Sequence, residues 1–121
     1  MCSHQVVLVV EDELLLRMSA LEDLAQAGFE VIEATNADEA ISILEERTDI
    51  HVIFTDIQMP GSMDGLKLAH YVRHRWPPIK IIATSGQVGI GMDELPPGGR
   101  FIRKPYTPDE VTDTIRELMD A

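Results

Sequence analysis

Basic residues are scarce in this chain: 10 lysines and arginines face 21 acids, for a formal charge of −11 over 121 residues. A nucleic-acid surface needs clustered cations to neutralise phosphates, and adhesion to an anionic membrane needs them too, so this balance argues against both. Cysteine is nearly absent. Cys2 stands alone, and no internal disulfide can form. No apolar run approaches the roughly 18 residues needed to span a bilayer. Residues 1–5 are too short and polar for a secretory leader. The expectation is a cytoplasmic protein. Internal repeats and low-complexity linkers are also missing.

What is present suits one domain. The apolar fraction is 45% and the charged fraction 26%, ordinary for a chain that buries a core without staples. The acid is unevenly spread. Residues 1–49 carry 12 acids against 2 bases, residues 50–107 carry 4 against 7, and residues 108–121 carry 5 against 1.

Short apolar runs alternate with segments of helical period. Val6-Val7-Leu8-Val9-Val10 is apolar at every position, as in a strand buried on both faces. Leu14, Met18, Leu21 and Ala25 then recur at helical spacing, and Gly28 fits a helix stop. Residues 29–33 read as a second strand. Asn36 with Glu39 reads as a capping box, opening a helix that turns Ala40, Ile41 and Leu44 inward and ends near Arg47. A third strand covers residues 51–55, with Asp56 directly after it. Leu66, Ala69, Val72 and Trp76 mark the next helix, stopped by Pro77-Pro78. Strands follow at 79–84 and 101–103. Thr107-Pro108-Asp109-Glu110 is a strong helix start, and Val111, Ile115 and Leu118 supply that helix's apolar stripe.

This pattern predicts an α/β domain, a parallel sheet with right-handed crossovers. One unit departs from it. Residues 86–99 hold five of the eight glycines plus Pro96-Pro97, so the fourth helix should be short or irregular, with one turn near 92–95.

Ligands of such sheets bind outside the carboxyl ends of the strands. Those ends here carry Glu11-Asp12, Asp56, Thr84-Ser85 and Arg103-Lys104-Pro105. Three converging carboxylates repel one another, and a hard divalent cation such as Mg²⁺ relieves the repulsion. A lysine and a hydroxyl beside them can hold an anion. Mg²⁺, lysine and hydroxyl are the means of holding a transferring phosphoryl group, and an aspartate can be its nucleophile.

Taken in order, Glu11-Asp12, Asp56-Ile57-Gln58-Met59-Pro60, Met63-Asp64-Gly65, Ser85-Gly86 and Lys104-Pro105 resemble the receiver domain of bacterial two-component response regulators. Each motif is weak alone; together, each at the end of the right strand, they are specific. The resemblance covers essentially the whole chain. It implies a doubly wound, flavodoxin-like (βα)5 fold with strand order 2-1-3-4-5. It implies that Asp56 is the phosphoacceptor, charged by a histidine kinase or histidine phosphotransfer protein. Asp12 and Asp56 would ligate Mg²⁺ with the Gln58 backbone carbonyl, and Glu11 would do so through water. Lys104 would contact the acyl phosphate, and Ser85 (or its neighbour Thr84) would bond a phosphoryl oxygen. Ser85 and Phe101 would be the switch residues, and Pro105 would follow a cis peptide bond.

Residues 1–121 read as a single receiver domain with no output domain, a monomer that switches contacts with an output protein and is not an enzyme with an outside substrate. Two rivals remain. A Mg²⁺-dependent phosphohydrolase with Asp56 as nucleophile would usually show a second aspartate where Gln58 stands. A receiver-fold binding module would usually lack the acidic pair or the lysine.

Other residues read more plainly. Asp64 fits a helix cap and Gly65 a packing position. His70 and His74 lie four apart on a helix without a third ligand, so they read, like His4 and His51, as ordinary histidines. Met18, Met59, Met63, Met92 and Met119 read as packing. Gln58 and Gln87, each two residues beyond a site residue, are candidates for gating hydrolytic water. With the first and last helices on one face, that face should be acidic, and a donor with a basic rim should dock near the first helix.

Overall fold

The computed structural model describes residues 5–59, 61, 63–86 and 94–120. Cys2, His4, Pro60, Gln87 and Met92 lie outside the described residues, as do all of residues 87–93. In chain order the elements are β1 (Val6–Val10), α1 (Leu14–Gln26), β2 (Glu30–Ala34), α2 (Ala37–Glu46), β3 (Val52–Asp56), α3 (Gly65–Arg75), β4 (Lys80–Ser85), β5 (Arg100–Arg103) and α4 (Pro108–Asp120). The five strands form one parallel sheet in the order β2-β1-β3-β4-β5.

Strand side chains alternate between faces, and this divides the apolar residues between two cores. Val6, Leu8 and Val10 of β1 pack with Ala37, Ala40 and Leu44 of α2 and Leu68, Ala69 and Val72 of α3. Val7 and Val9 face the other way, with Ala20 and Leu24 of α1 and Val111, Ile115 and Leu118 of α4. Hence β1 must be apolar throughout, and α1 and α4 share a face. A fully buried leucine such as Leu8 contributes about 1.5–3 kcal/mol.

The expected helix starts form. Asn36 Oδ1 accepts the Glu39 amide at 2.8 Å, while Glu39 reaches back to the Thr35 amide at 2.7 Å. Thr107 and Glu110 exchange both bonds of a capping box, at 3.2 and 3.0 Å. Asp64 caps α3 by accepting the Lys67 amide at 2.9 Å. Gly28, with φ 98°, ends α1 in the left-handed region that glycine enters without steric cost.

Three expectations need correction. Strands β2, β3 and β4 each run one residue later than their apolar runs. Asp56 and Ser85 are thus the last rungs of the ladder, since the Asp56–Thr84 and Ser85–Arg103 pairs still fit the register. The buried stripe of α1 is Arg17, Ala20 and Leu24, rotated from the expected Leu14, Met18, Leu21 and Ala25. Leu14 and Met18 are 57% and 55% exposed, so Met18 does not pack in the core. The rotation follows from Arg17, whose guanidinium turns inward to polar partners and carries Leu14 and Met18 to solvent. Finally, Leu68 fills the α3 core position, while Leu66 and Trp76 only flank it.

Candidate functional site

Because every strand points the same way, every strand's carboxyl end reaches one edge. There Lys104 Nζ lies 3.2 Å from Asp56 Oδ2 and 3.4 Å from Glu11 Oε1. One carboxylate oxygen from each of Glu11, Asp12 and Asp56 falls within 4.8 Å of the others. Glu11 and Asp56 are buried, whereas Asp12 is exposed and opens the cluster to solvent. Asp56 divides its oxygens: Oδ2 faces Lys104, and Oδ1 accepts the Gln58 amide at 3.3 Å.

The backbone enforces this convergence. The Ile57 amide donates to the Thr84 carbonyl at 2.9 Å, and the Lys104 amide to the Ser85 carbonyl at 3.0 Å. The Lys104–Pro105 peptide is cis. Gly65 lets α3 begin directly against the turn after β3: a Cβ there would sit 2.1 Å from the Asp56 carbonyl oxygen. Gly65 is thus a packing position, as its sequence context suggested.

The electrostatics fit a divalent cation. Burial, then the charge of Asp56, pushes the Glu11 carboxyl up to about 7. Burial pulls the Lys104 ammonium down, but Asp56 and Glu11 outweigh it and hold its pKa above the usual lysine range. One lysine therefore does not neutralise the cluster, and three hard oxygen donors suit Mg²⁺.

Ser85 is fully buried, and its hydroxyl donates to Gln58 Oε1 at 2.6 Å. Sheet alternation puts Thr84 on the opposite face, with its Oγ1 buried and without a hydrogen-bond partner among the described residues. Phe101 is half-buried against the α2/α3 core, with the Arg103 guanidinium 6.0 Å from its ring. His70 Nε2 contacts the Glu94 carbonyl at 2.8 Å. His51 Nδ1 accepts the Val6 amide at 2.9 Å. Neither histidine joins the acidic cluster.

Sequence reasoning missed three features. The first is Arg17, buried beside Glu11. The second is the exposed Leu14, Leu15 and Met18 patch. Three consecutive leucines cannot all lie on one helix face, which was the available signal. The third is Tyr106. Its phenol is pushed up to about 12 by burial and then by Glu11 and Asp56, and its ring meets Phe54 edge-on at 5.5 Å. With Leu16, Ser19, Asp23, Gly86 and Lys104 it lines an open cleft of about 690 Å³.

Fold and site together define a doubly wound α/β domain with an acidic, lysine-bridged pocket at the carboxyl ends of its strands. The chain belongs to the response regulator receiver domain family, which it matches over residues 7–116. It is 36% identical over 95% of its length to the hydrogenase transcriptional regulatory protein HoxA of Cupriavidus necator. It is 33% identical over 94% of its length to the sensor kinase CckA of Brucella abortus. It spans only 24% and 12% of those two proteins. A response regulator receiver protein from Sinorhizobium medicae superposes with a TM-score of 0.90 at 25% identity, over 98% of this chain and 97% of that one. The chain is thus a receiver of two-component phosphorelay signalling. Receivers bind Mg²⁺ at an acidic pocket, and Glu11, Asp12 and Asp56 form such a cluster here. No described helix is long and apolar enough to cross a membrane.

Proposed function

We propose that Asp56 takes a phosphoryl group from a phosphohistidine on a partner kinase or phosphotransfer protein, and that the resulting charge switches a protein–protein contact. The observation that carries this is the Lys104 ammonium bridging Asp56 and Glu11 at 3.2 and 3.4 Å. An Asp56 carboxylate oxygen attacks phosphorus, the P–N bond to imidazole breaks, and the imidazole leaves with its electron pair and takes a proton. Asp12 and Asp56 side chains and the Gln58 carbonyl would hold Mg²⁺, with Glu11 acting through water. When bound, Mg²⁺ supplies positive charge to the phosphoryl oxygens. Lys104 then trades its carboxylate contacts for the acyl phosphate. Ser85 must leave Gln58 to bond a phosphoryl oxygen, and that movement, coupled to Phe101, is the switch.

Gln58 is therefore first a partner of Ser85, and any gating of hydrolytic water waits on their separation. The exposed Leu14, Leu15 and Met18 on α1, beside the cleft at Lys104, suit a donor with an apolar centre. The acids of α1 and α4 on the same face suit a basic rim around it. The protein acts in the cytoplasm, where phosphohistidine is made from ATP. It assists its own phosphorylation and hydrolysis and turns over no outside substrate.

Incubation with Mg²⁺ and a small phosphodonor tests the reading. A phosphorylated species seen by intact mass, absent in Asp56→Asn, is the expected result. Rapid multiple turnover would favour a phosphohydrolase, and no reaction a binding module.

A further inference from the structure

Arginine is seldom buried without partners, and Arg17 is only 9% exposed. Its guanidinium makes two bonds. Nε donates to Glu33 Oε1 on β2 at 2.9 Å, and Nη1 donates to the Glu11 carbonyl oxygen at 2.9 Å in a buried setting. That carbonyl belongs to the planar peptide unit joining Glu11 to Asp12. Fixing this plane fixes where the Asp12 Cα stands, the point from which its side chain reaches the cluster. The Glu11 side is tied separately: its amide donates to the Ala34 carbonyl at 3.1 Å, and its Oε2 accepts the Glu13 amide at 3.2 Å.

We propose that Arg17 is a positioning residue for the metal, holding the peptide plane between the two consecutive acids, so that Mg²⁺ affinity depends on it. The inference rests on the Mg²⁺ reading above. Two effects of Arg17 oppose each other. As a cation near three carboxylates it repels a divalent ion, so removing it tightens binding on charge alone. As a clamp it presents Asp12, so removing it loosens the ligand set and weakens binding. Glu33 already offsets the guanidinium charge, which leaves the clamp dominant. Groups that orient metal ligands typically change affinity 10–100-fold when removed, and the exposed Asp12 puts this site at the low end, roughly 10-fold.

Calorimetric titration of Mg²⁺ into the chelator-treated full chain tests this, with melting curves in chelator to measure the folded fraction of each variant. Arg17→Met should bind Mg²⁺ roughly 10-fold more weakly. Arg17→Lys keeps the charge but presents no fork to reach both partners, so it should also weaken, and it decides the matter if Arg17→Met does not fold. Glu33→Gln keeps the bond to the Glu11 carbonyl and should stay within about threefold. Unchanged or tighter binding by folded Arg17→Lys would overturn the proposal. So would an equal loss in Glu33→Gln, which would place the effect in the helix–strand ion pair. An unaltered chain that binds no Mg²⁺ would remove the metal reading and this one with it. Normal binding with indifferent Arg17 variants would remove only this one.

Discussion

Gly65→Ala is the substitution whose outcome the geometry constrains most. The three atoms nearest a methyl at this position are all backbone: the Asp56 carbonyl oxygen at 2.1 Å, the Ile57 Cα at 2.7 Å and the Asp56 carbonyl carbon at 2.8 Å. No side chain can rotate away to make room. The start of α3 and the turn after β3 have to separate by about 1 Å, as with any overpacked core site. Overpacking of this kind costs about 1–3 kcal/mol. The Gly65 amide bond to the Ile57 carbonyl, now 2.9 Å, is lost as well and adds about 1 kcal/mol. The expected loss is about 2–4 kcal/mol, a large share of a typical domain's 5–15. The same displacement moves the backbone of Asp56. Misplacing a reacting group by about 1 Å can cost on the order of 100-fold in rate. Urea denaturation measures the first effect, and the time course of Asp56 phosphorylation by a small phosphodonor with Mg²⁺ measures the second. Gly86→Ala is the control, because among the described residues its methyl meets only Lys104 Cβ, at an ordinary 3.7 Å. If Gly65→Ala unfolds within about 0.5 kcal/mol of the parent, the scale of a surface change, and phosphorylates at the same rate, the close-approach argument is wrong.

Further outcomes follow from the same edge of the sheet and from the α1 face beside it. Without Mg²⁺, the Glu11 carboxyl is raised from 4.5 to about 7, so the folded chain binds that proton more tightly than the unfolded one. Its contribution to stability is complete below about pH 4.5 and is lost as pH rises through 7; calorimetric scans in chelator should show it, and Glu11→Gln should flatten that part of the profile. Thr84→Val should change stability by less than about 1 kcal/mol and leave phosphorylation intact, since the hydroxyl it removes has no partner among the described residues. Ser85→Ala should be phosphorylated yet lose the amide shift changes around Phe101; the reverse pattern in this pair would make Thr84 the switching hydroxyl. Leu15→Asp should slow phosphotransfer from a phosphohistidine donor about 10-fold without touching the reaction with a small phosphodonor, consistent with a central apolar contact. The donor reaction should also slow as salt rises, measured by stopped reactions at several ionic strengths, and a rate indifferent to salt would discard the acidic docking face.

Much of the architecture was legible in local pattern. An all-apolar β1 between amphipathic segments already demanded a strand buried on both faces. The helix starts at Asn36, Asp64 and Thr107 declared themselves because a cap is made within four residues. The candidate site could be assembled for a related reason: parallel strands bring their carboxyl ends to one edge, so Glu11, Asp12, Asp56, Ser85 and Lys104 had to be neighbours once the strands were placed. Contacts that depend on rotation about an axis were not legible. The face α1 presents to the sheet was misjudged because leucine at three successive positions satisfies several helical phases equally. The choice was made by Arg17 reaching the Glu11 carbonyl just beyond β1 and Glu33 on β2, and the second of these is a contact between elements that the local pattern of α1 does not contain. The hydroxyl pair shows the same division. Sequence placed Thr84 and Ser85 together at the end of β4. Strand alternation in the folded sheet turned Ser85 toward Gln58 and put Thr84, the register partner of Asp56, on the other face with its hydroxyl buried, because successive side chains of a strand must point to opposite faces and only the assembled sheet says which neighbour each one meets.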